Sequence, residues 1–165
     1  MLSGNKESGF TIVEVLVSML VLAVGVLGVT GLQLRALDSN RDALFRSEAG
    51  QFANDIIDRI DVNAAIVYGP VALGDAPPAA NDCRANVCTP AQMALFDIAT
   101  WLCSINSEDA DGSAYSICGT LDADGGLPNG SGSIIRTGNE YEIIVSWQDV
   151  KSPQTSTVTF YFQVQ

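Results

Sequence analysis

The feature that most constrains this chain is an uncharged apolar run near its N-terminus. From Val15 to Leu34 the sequence reads VLVSMLVLAVGVLGVTGLQL, twenty residues without Asp, Glu, Lys or Arg. As an α-helix, a run of that length spans roughly 30 Å, the thickness of the hydrocarbon core of a bilayer. A buried core helix is the alternative, but such helices usually carry apolar runs of only about 10–14 residues. The run therefore predicts a membrane-spanning helix.

The charge and residue composition exclude several classes of function. The chain of 165 residues has 19 acidic and 8 basic side chains, a formal net charge of −11, and no histidine. Such an acidic chain is a poor ligand for nucleic acid, and we expect none as a partner. Without histidine it lacks the commonest general base and the commonest transition-metal ligand. No nucleophile–base spacing and no glycine-rich phosphate loop is present either, so we expect no enzyme, no cofactor and no metal.

The residues before the apolar run distinguish it from a secretory signal peptide. A signal peptide has a shorter apolar stretch and a small-residue cleavage site after it, whereas no clean site follows Leu34. A short polar leader, MLSGNKESG at residues 1–9, comes first, and the sequence Phe10-Thr11-Ile12-Val13-Glu14 follows it. Gly9, Phe10 and Glu14 at these positions, ahead of a complete span, resemble the processing motif of type IV pilins and the related pseudopilins.

That resemblance implies how the N-terminus is processed. A prepilin peptidase would cut after Gly9 on the cytoplasmic face and methylate the new amino group of Phe10. The apolar segment, which we place at residues 10–34, would then be kept. One departure from the usual pattern is conservative, because Ile12-Val13 stands where Leu-Ile is common.

Glu14 is a candidate functional residue on physical grounds as well. A carboxylate inside an apolar segment costs about 2.5–3.5 kcal/mol on insertion scales, so such residues are usually functional. The alternative is that Glu14 lies near the membrane surface and stays hydrated. The resemblance implies that in a fibre Glu14 neutralises the Phe10 amine of a neighbouring subunit. Because each buried charge is costly until a partner arrives, that pair would also fix the register of subunit addition.

The orientation signals of the span disagree with one another. Lys6 precedes the span, whereas Arg35, Arg41 and Arg46 follow it. A plain count of basic residues would therefore leave the C-terminal part in the cytoplasm. The pilin-like leader and the four cysteines indicate a periplasmic head instead. We give the leader more weight and expect a single-pass inner-membrane protein.

Helical periodicity continues beyond the span. Residues 35–62 carry apolar side chains at helical spacing, namely Leu37, Leu44, Phe45, Phe52, Ile56 and Ile60. We interpret this stripe as the face of an amphipathic continuation that packs on a head domain. A single helix over residues 10–62 would be roughly 80 Å long. Gly31 is a weak point in it.

The remaining residues, 63–165, predict an α+β head. Loop signals fill residues 63–89, and Thr89-Pro90 indicates the start of a short helix over 90–104. Residues 105–132 predict a loop. Alternating patterns at 133–137, 140–148 and 156–164 predict three strands, with a turn at 151–153. An antiparallel sheet of at least three strands packed on the long helix gives a pilin fold.

The cysteines predict structural disulfides. Four cysteines allow three pairings, and the local one joins Cys83 to Cys88 and Cys103 to Cys118. We favour that pairing, although spacing does not exclude the others. The spacings do not match zinc knuckles or a redox C-x-x-C motif. Acidic turns at Glu108, Asp109, Asp111, Asp122 and Asp124 resemble calcium loops only faintly, since neither stretch has the glutamate that an EF-hand loop requires.

Within the pilin family, the chain is most similar to minor pilins of the PilV type. The similarity lies in residues 9–60 and in later patches, including Cys83 to Gln92, Phe96-Asp97 with Trp101, Leu127 to Gly130, and Val145 to Trp147. It implies a minor pilin that primes assembly or occupies the tip. Its partners would be prepilin peptidase, the major pilin, other minor pilins, the pilus assembly platform and inner-membrane lipid. A type II secretion pseudopilin and a membrane-tethered, adhesin-like binding module remain as alternatives.

Overall fold

The structure, a computed structural model, describes residues 9–109, 111–148 and 154–164. The chain divides into two compact units, Met1–Ala43 and Leu44–Gln165. Helix α1, Ile12–Val62, begins in the first unit and ends in the second. The second unit also contains α2 (Pro90–Ile105), α3 (Ser116–Leu121), β1 (Ser131–Thr137), β2 (Glu140–Gln148) and β3 (Thr155–Gln163). The predicted α+β pilin fold class is confirmed.

In the first unit, α1 is helical without interruption and none of its described side chains is buried. The helix runs through Gly25, Gly28 and Gly31, so the weak point expected at Gly31 does not end it. One 18-residue window in α1 is long and apolar enough to span a membrane, and no part of that window is buried within the chain. The exposed apolar surface is what the sequence predicted for this segment.

In the second unit, the buried face of α1 is narrower than the predicted stripe. Ile56 and Ile60 are fully buried, and Phe45 and Phe52 pack against the same core while partly exposed. Leu44 is exposed, as is Leu37 in the first unit, which corrects their assignment to a core face. Two small residues complete the buried face instead: Ala49 and Ala53 are both fully buried. A stripe of large apolar residues does not reveal such positions, where close packing requires a small side chain.

The start of α2 follows the predicted capping chemistry. The Thr89 hydroxyl accepts a hydrogen bond from the Gln92 N–H at 3.3 Å, and the Gln92 side-chain oxygen accepts one from the Thr89 N–H at 2.9 Å. This reciprocal capping box satisfies two backbone donors that the first turn leaves without partners. Pro90 occupies the first helical position, where its missing N–H costs nothing. The helix ends at Ile105, one residue beyond the predicted end.

The sheet is antiparallel with strand order β1-β2-β3. The central strand, β2, supplies four buried core side chains: Tyr141, Ile143, Val145 and Trp147. Main-chain atoms of Val71 close the outer edge of β1 through two hydrogen bonds with Ile134, of 3.0 and 2.9 Å. The strand bounds differ from the predicted ones by at most two residues, and the predicted turn at 151–153 lies outside the described residues.

The prediction of a loop throughout residues 105–132 is wrong in one place. Residues 116–121 form α3, whose Cys118 and Leu121 side chains are buried. This helix has six residues. Isolated helices so short are unstable in water, so tertiary contacts must stabilise this one. Six residues are also too few for a helical period to be recognised in the sequence.

Candidate processing and assembly site

The predicted cleavage and methylation site lies in a non-helical, exposed segment directly before α1. Gly9 and Phe10 are both non-helical, and Phe10 is 83% exposed. The rest of the predicted leader, residues 1–8 with Lys6, lies outside the described residues. A peptidase requires accessible backbone around a scissile bond, and this segment is accessible.

Thr11 fixes the start of α1. Its hydroxyl accepts a hydrogen bond from the backbone N–H of Glu14 at 3.3 Å, as an N-cap residue does for the third helical position. The Thr-x-x-Glu spacing is that of a capping box. This local chemistry places Glu14 in the first helical turn, where a carboxylate interacts favourably with the helix dipole.

The Glu14 carboxylate is exposed, and within the described part of the chain it has no hydrogen-bond or ion-pair partner. The structure therefore does not assign a role to Glu14. It does place Phe10 two residues before the start of α1 and Glu14 in its first turn, ahead of the uncharged run that begins at Val15.

Two hydroxyl groups within the apolar segment are satisfied locally. The Ser18 hydroxyl donates to the Glu14 carbonyl at 2.7 Å, and the Thr30 hydroxyl donates to the Val26 carbonyl at 2.9 Å. In hydrocarbon, an unsatisfied polar group costs several kcal/mol, so internal bonds of this kind suit a lipid or fibre-core environment. Apart from these hydroxyl groups, the segment between Gly9 and Leu34 carries one charged side chain, Glu14.

A buried polar network in the second unit was not predicted. Asp97 of α2 is 6% exposed, and its carboxylate accepts hydrogen bonds from the Arg59 guanidinium of α1 at 3.0 Å and from the Tyr68 hydroxyl at 2.6 Å. Arg59 also donates to Asp55 at 3.0 Å. The Asn63 amide donates to the Tyr68 hydroxyl at 3.1 Å and to the Pro90 carbonyl at 2.9 Å.

The environment of this network changes the acidity of its members. Burial raises the pKa of the Tyr68 hydroxyl well above its usual value, and the hydrogen bond to Asp97 raises it further. Burial alone would lower the pKa of Arg59, but its hydrogen bonds to Asp55 and Asp97 outweigh that effect and raise it. The network therefore holds a charged Arg59 and a neutral Tyr68 around one carboxylate. In the sequence, the one indication of this network is Asp97, a charged residue within the apolar pattern of α2.

Both local disulfides are present. Cys83 bonds Cys88 within the loop before α2, and Cys103 of α2 bonds Cys118 of α3. The second bridge is buried, since Cys103 and Cys118 are 0% and 1% exposed. It attaches α3 to α2, so its role is structural.

The acidic turns are organised by hydrogen bonds within the loop. One Asp109 carboxylate oxygen accepts from the backbone N–H groups of Asp111 and Ser113, both at 2.9 Å. Across residues 9–109, 111–148 and 154–164, no group of three or more acidic or cysteine side chains is arranged to hold a metal ion. Glu108, Asp122 and Asp124 are therefore not brought together into a site.

Comparison with known proteins agrees with the N-terminal motif. The family described as the prokaryotic N-terminal methylation motif matches residues 4–30, and the family described as type IV pilin Tt1218 matches residues 31–99. No curated protein and no solved structure matches the chain. The two matched segments are consecutive and together cover the span, the rest of α1 and most of α2. Over residues 4–99 the chain is therefore similar to type IV pilins that carry an N-terminal methylation motif.

Proposed function

We propose that this chain is a type IV pilin, and specifically a minor pilin of the PilV kind that takes part in priming pilus assembly or in the tip complex. Prepilin peptidase cuts it after Gly9 and methylates Phe10. The protein then waits in the inner membrane as a single-pass subunit, with residues 10–34 in the bilayer and residues 63–165 in the periplasm. The assembly platform transfers it to the fibre, where it contacts the major pilin and other minor pilins.

The observation that carries this proposal is the position of Glu14. It is the only described charge between Gly9 and Leu34, in a helix segment that the chain itself leaves fully exposed. A helix that merely anchored a head would gain nothing from a carboxylate at that position, since it costs insertion energy. In an assembly, the free amine of a processed Phe10 supplies the missing positive charge, and a pair removed from water attracts strongly.

The two disulfides support the proposed topology. Disulfides form and persist in oxidising compartments such as the periplasm, and both bridges belong to the second unit. The basic residues after the span, Arg35, Arg41 and Arg46, favour the opposite orientation. A processing signal read on the cytoplasmic face outweighs that bias, because it requires residues 1–9 to remain in the cytoplasm.

Mass spectrometry of the protein from native membranes tests the processing step. We expect a mature chain that begins at N-methyl-Phe10, and an uncut chain for Gly9→Ala with Ser3→Ala as the control. A wild-type chain that remains uncut in cells with active prepilin peptidase would contradict the proposal and leave a membrane-tethered binding module.

Deleting the gene distinguishes a pilus subunit from a subunit of a type II secretion system. Loss of pili supports the minor pilin, and loss of secretion with normal pili would indicate a type II secretion pseudopilin.

A further inference from the structure

The two edges of the sheet differ. Val71 covers β1 through main-chain hydrogen bonds to Ile134, and the Ser133 hydroxyl donates to the Val71 carbonyl at 2.9 Å. Along β3, by contrast, no backbone group forms a hydrogen bond on the side away from β2 within the described part of the chain. Among the residues that the structure describes, the outer edge of β3 is therefore unpaired over all nine residues of the strand.

One hydrogen bond fixes which backbone groups point outward from β3. The Val164 N–H donates to the Asn139 carbonyl at 3.0 Å, so Val164 faces the β2 side of the ladder. Because alternate residues of an antiparallel strand face opposite sides, Phe162, Phe160 and Val158 also bond to β2. The outward N–H and C=O groups then belong to Thr155, Thr157, Thr159, Tyr161 and Gln163. By the same alternation, the backbone N–H and C=O groups of Ile134 on β1 point away from β2. These are the groups that form hydrogen bonds with Val71.

The core-facing side chains of β3 are incompletely covered. Val158, Phe160 and Phe162 pack against the core but remain partly exposed, whereas their partners on β2 are fully buried or nearly so. A further strand beside β3 would bring its own apolar side chains against these three. Burial of that surface would add to the backbone hydrogen bonds.

The sequence of β3 has none of the usual protections of an open edge. Natural edge strands carry lysine, proline or a bulge that prevents pairing with other chains. Thr155–Gln163 has no charged residue, no proline and no glycine, and its pairing with β2 is regular throughout. A long edge with regular pairing of this kind is suited to binding a strand.

We propose that the outer edge of β3 is a docking site for an extended strand of another, basic protein chain. That strand would alternate apolar side chains toward the core with lysine or arginine on the opposite face, the face of the sheet on which Glu140 and Glu142 of β2 lie. We infer a basic partner from the negative net charge of the second unit. Residues 44–165 contain fifteen acidic and five basic side chains, so a second copy of this chain would meet strong like charge. A basic strand would meet opposite charge.

The test uses the full-length protein in detergent and a fluorescent nine-residue peptide that alternates lysine and valine. Thr159→Pro removes an outward N–H and leaves the ladder to β2 intact, and proline is tolerated on that side of an edge strand. Thr159→Val keeps the N–H and is the matched control. We expect the dissociation constant to rise about tenfold or more for Thr159→Pro and to stay within about twofold for Thr159→Val. A peptide with the same composition in blocks controls for charge alone.

A second measurement leaves the protein unchanged. Methylating the peptide nitrogens that would face β3 should weaken binding at least as much as Thr159→Pro does, and it decides the question if that variant fails to fold. Equal binding of the plain, block and N-methylated peptides would overturn the proposal, as would no binding at all. Concentration-dependent dimers of the wild type that Thr159→Pro abolishes would overturn the choice of partner, because the edge would then serve a second copy.

Discussion

The Arg59 guanidinium on α1 donates a hydrogen bond of 3.0 Å to the Asp97 carboxylate on α2, and the two residues are 38 positions apart in the chain. The side chain of Asp97 is 8% exposed and that of Arg59 is 30% exposed. Asp97 also accepts from Tyr68 in the loop between these helices. One carboxylate thus joins three segments of the second unit.

Removing that carboxylate should destabilise the second unit strongly. Asp97→Ala leaves the Tyr68 hydroxyl only the more distant Arg59 carbonyl, at 3.5 Å, and leaves Arg59 with Asp55 alone, so we expect a loss of about 2–4 kcal/mol in the free energy of unfolding. Urea denaturation of the full chain in detergent, followed by tryptophan fluorescence, measures it. Asp82→Ala is the control, because Asp82 pairs with Arg84 at the surface and should lose almost nothing. Equal losses for both variants would contradict the structural role of Asp97.

Tyr68 should make the protein lose stability in alkali. Burial first, and then the hydrogen bond to Asp97, raise the pKa of Tyr68 above its unfolded value of 10.0. The unfolded chain therefore releases this proton at a lower pH than the folded chain does. Stability is fully present below about pH 10 and falls above it, by at most about 1.4 kcal/mol per pH unit.

Unfolding midpoints between pH 8 and pH 11 check this expectation. Tyr68→Phe should flatten the alkaline part of the curve, although it lowers stability at neutral pH. Tyr161→Phe is the matched control. The hydrogen bond to Glu142 raises the pKa of Tyr161 as well, but solvent screens this effect at the exposed surface, so the slope should change much less. An alkaline slope that persists in Tyr68→Phe would show that another group causes it.

The same residues show how far sequence reasoning extends. The span, the strands and the capping of α2 follow from local patterns, because a charge-free run, a two-residue alternation and the Thr89-Pro90 pair each act within a few residues. The Arg59–Asp97 contact depends on tertiary packing, which brings distant segments together, and only the charge of Asp97 within an apolar pattern indicated it. Ala49 and Ala53 were missed for a related reason: small size matters there only because the core packs closely.

The two disulfides should differ in their contribution to stability. In the loop-entropy description, a bridge that spans 15 positions stabilises by about 3 kcal/mol and one that spans 5 by about 2 kcal/mol. Cys103→Ala with Cys118→Ala also removes two buried sulfur atoms, which adds a packing loss. We therefore expect a larger drop in melting temperature than for Cys83→Ala with Cys88→Ala. Under reducing conditions the wild type also lacks its bridges, so its melting temperature should approach those of the variants. A larger drop for the Cys83 and Cys88 variant than for the Cys103 and Cys118 variant would contradict this expectation.

Glu14 should be dispensable for processing and required for assembly. Glu14→Gln keeps the size of the side chain and removes its charge, so a neighbouring Phe10 amine would lose its counter-ion in a site without water. We expect normal cleavage and methylation by mass spectrometry, with a fibre-to-membrane ratio at least about tenfold lower by immunoblot of sheared pili. Ser18→Ala is the matched control one turn away, because its hydroxyl bonds only the Glu14 carbonyl. Normal incorporation of Glu14→Gln would show that the charge pair is not what orders subunit addition.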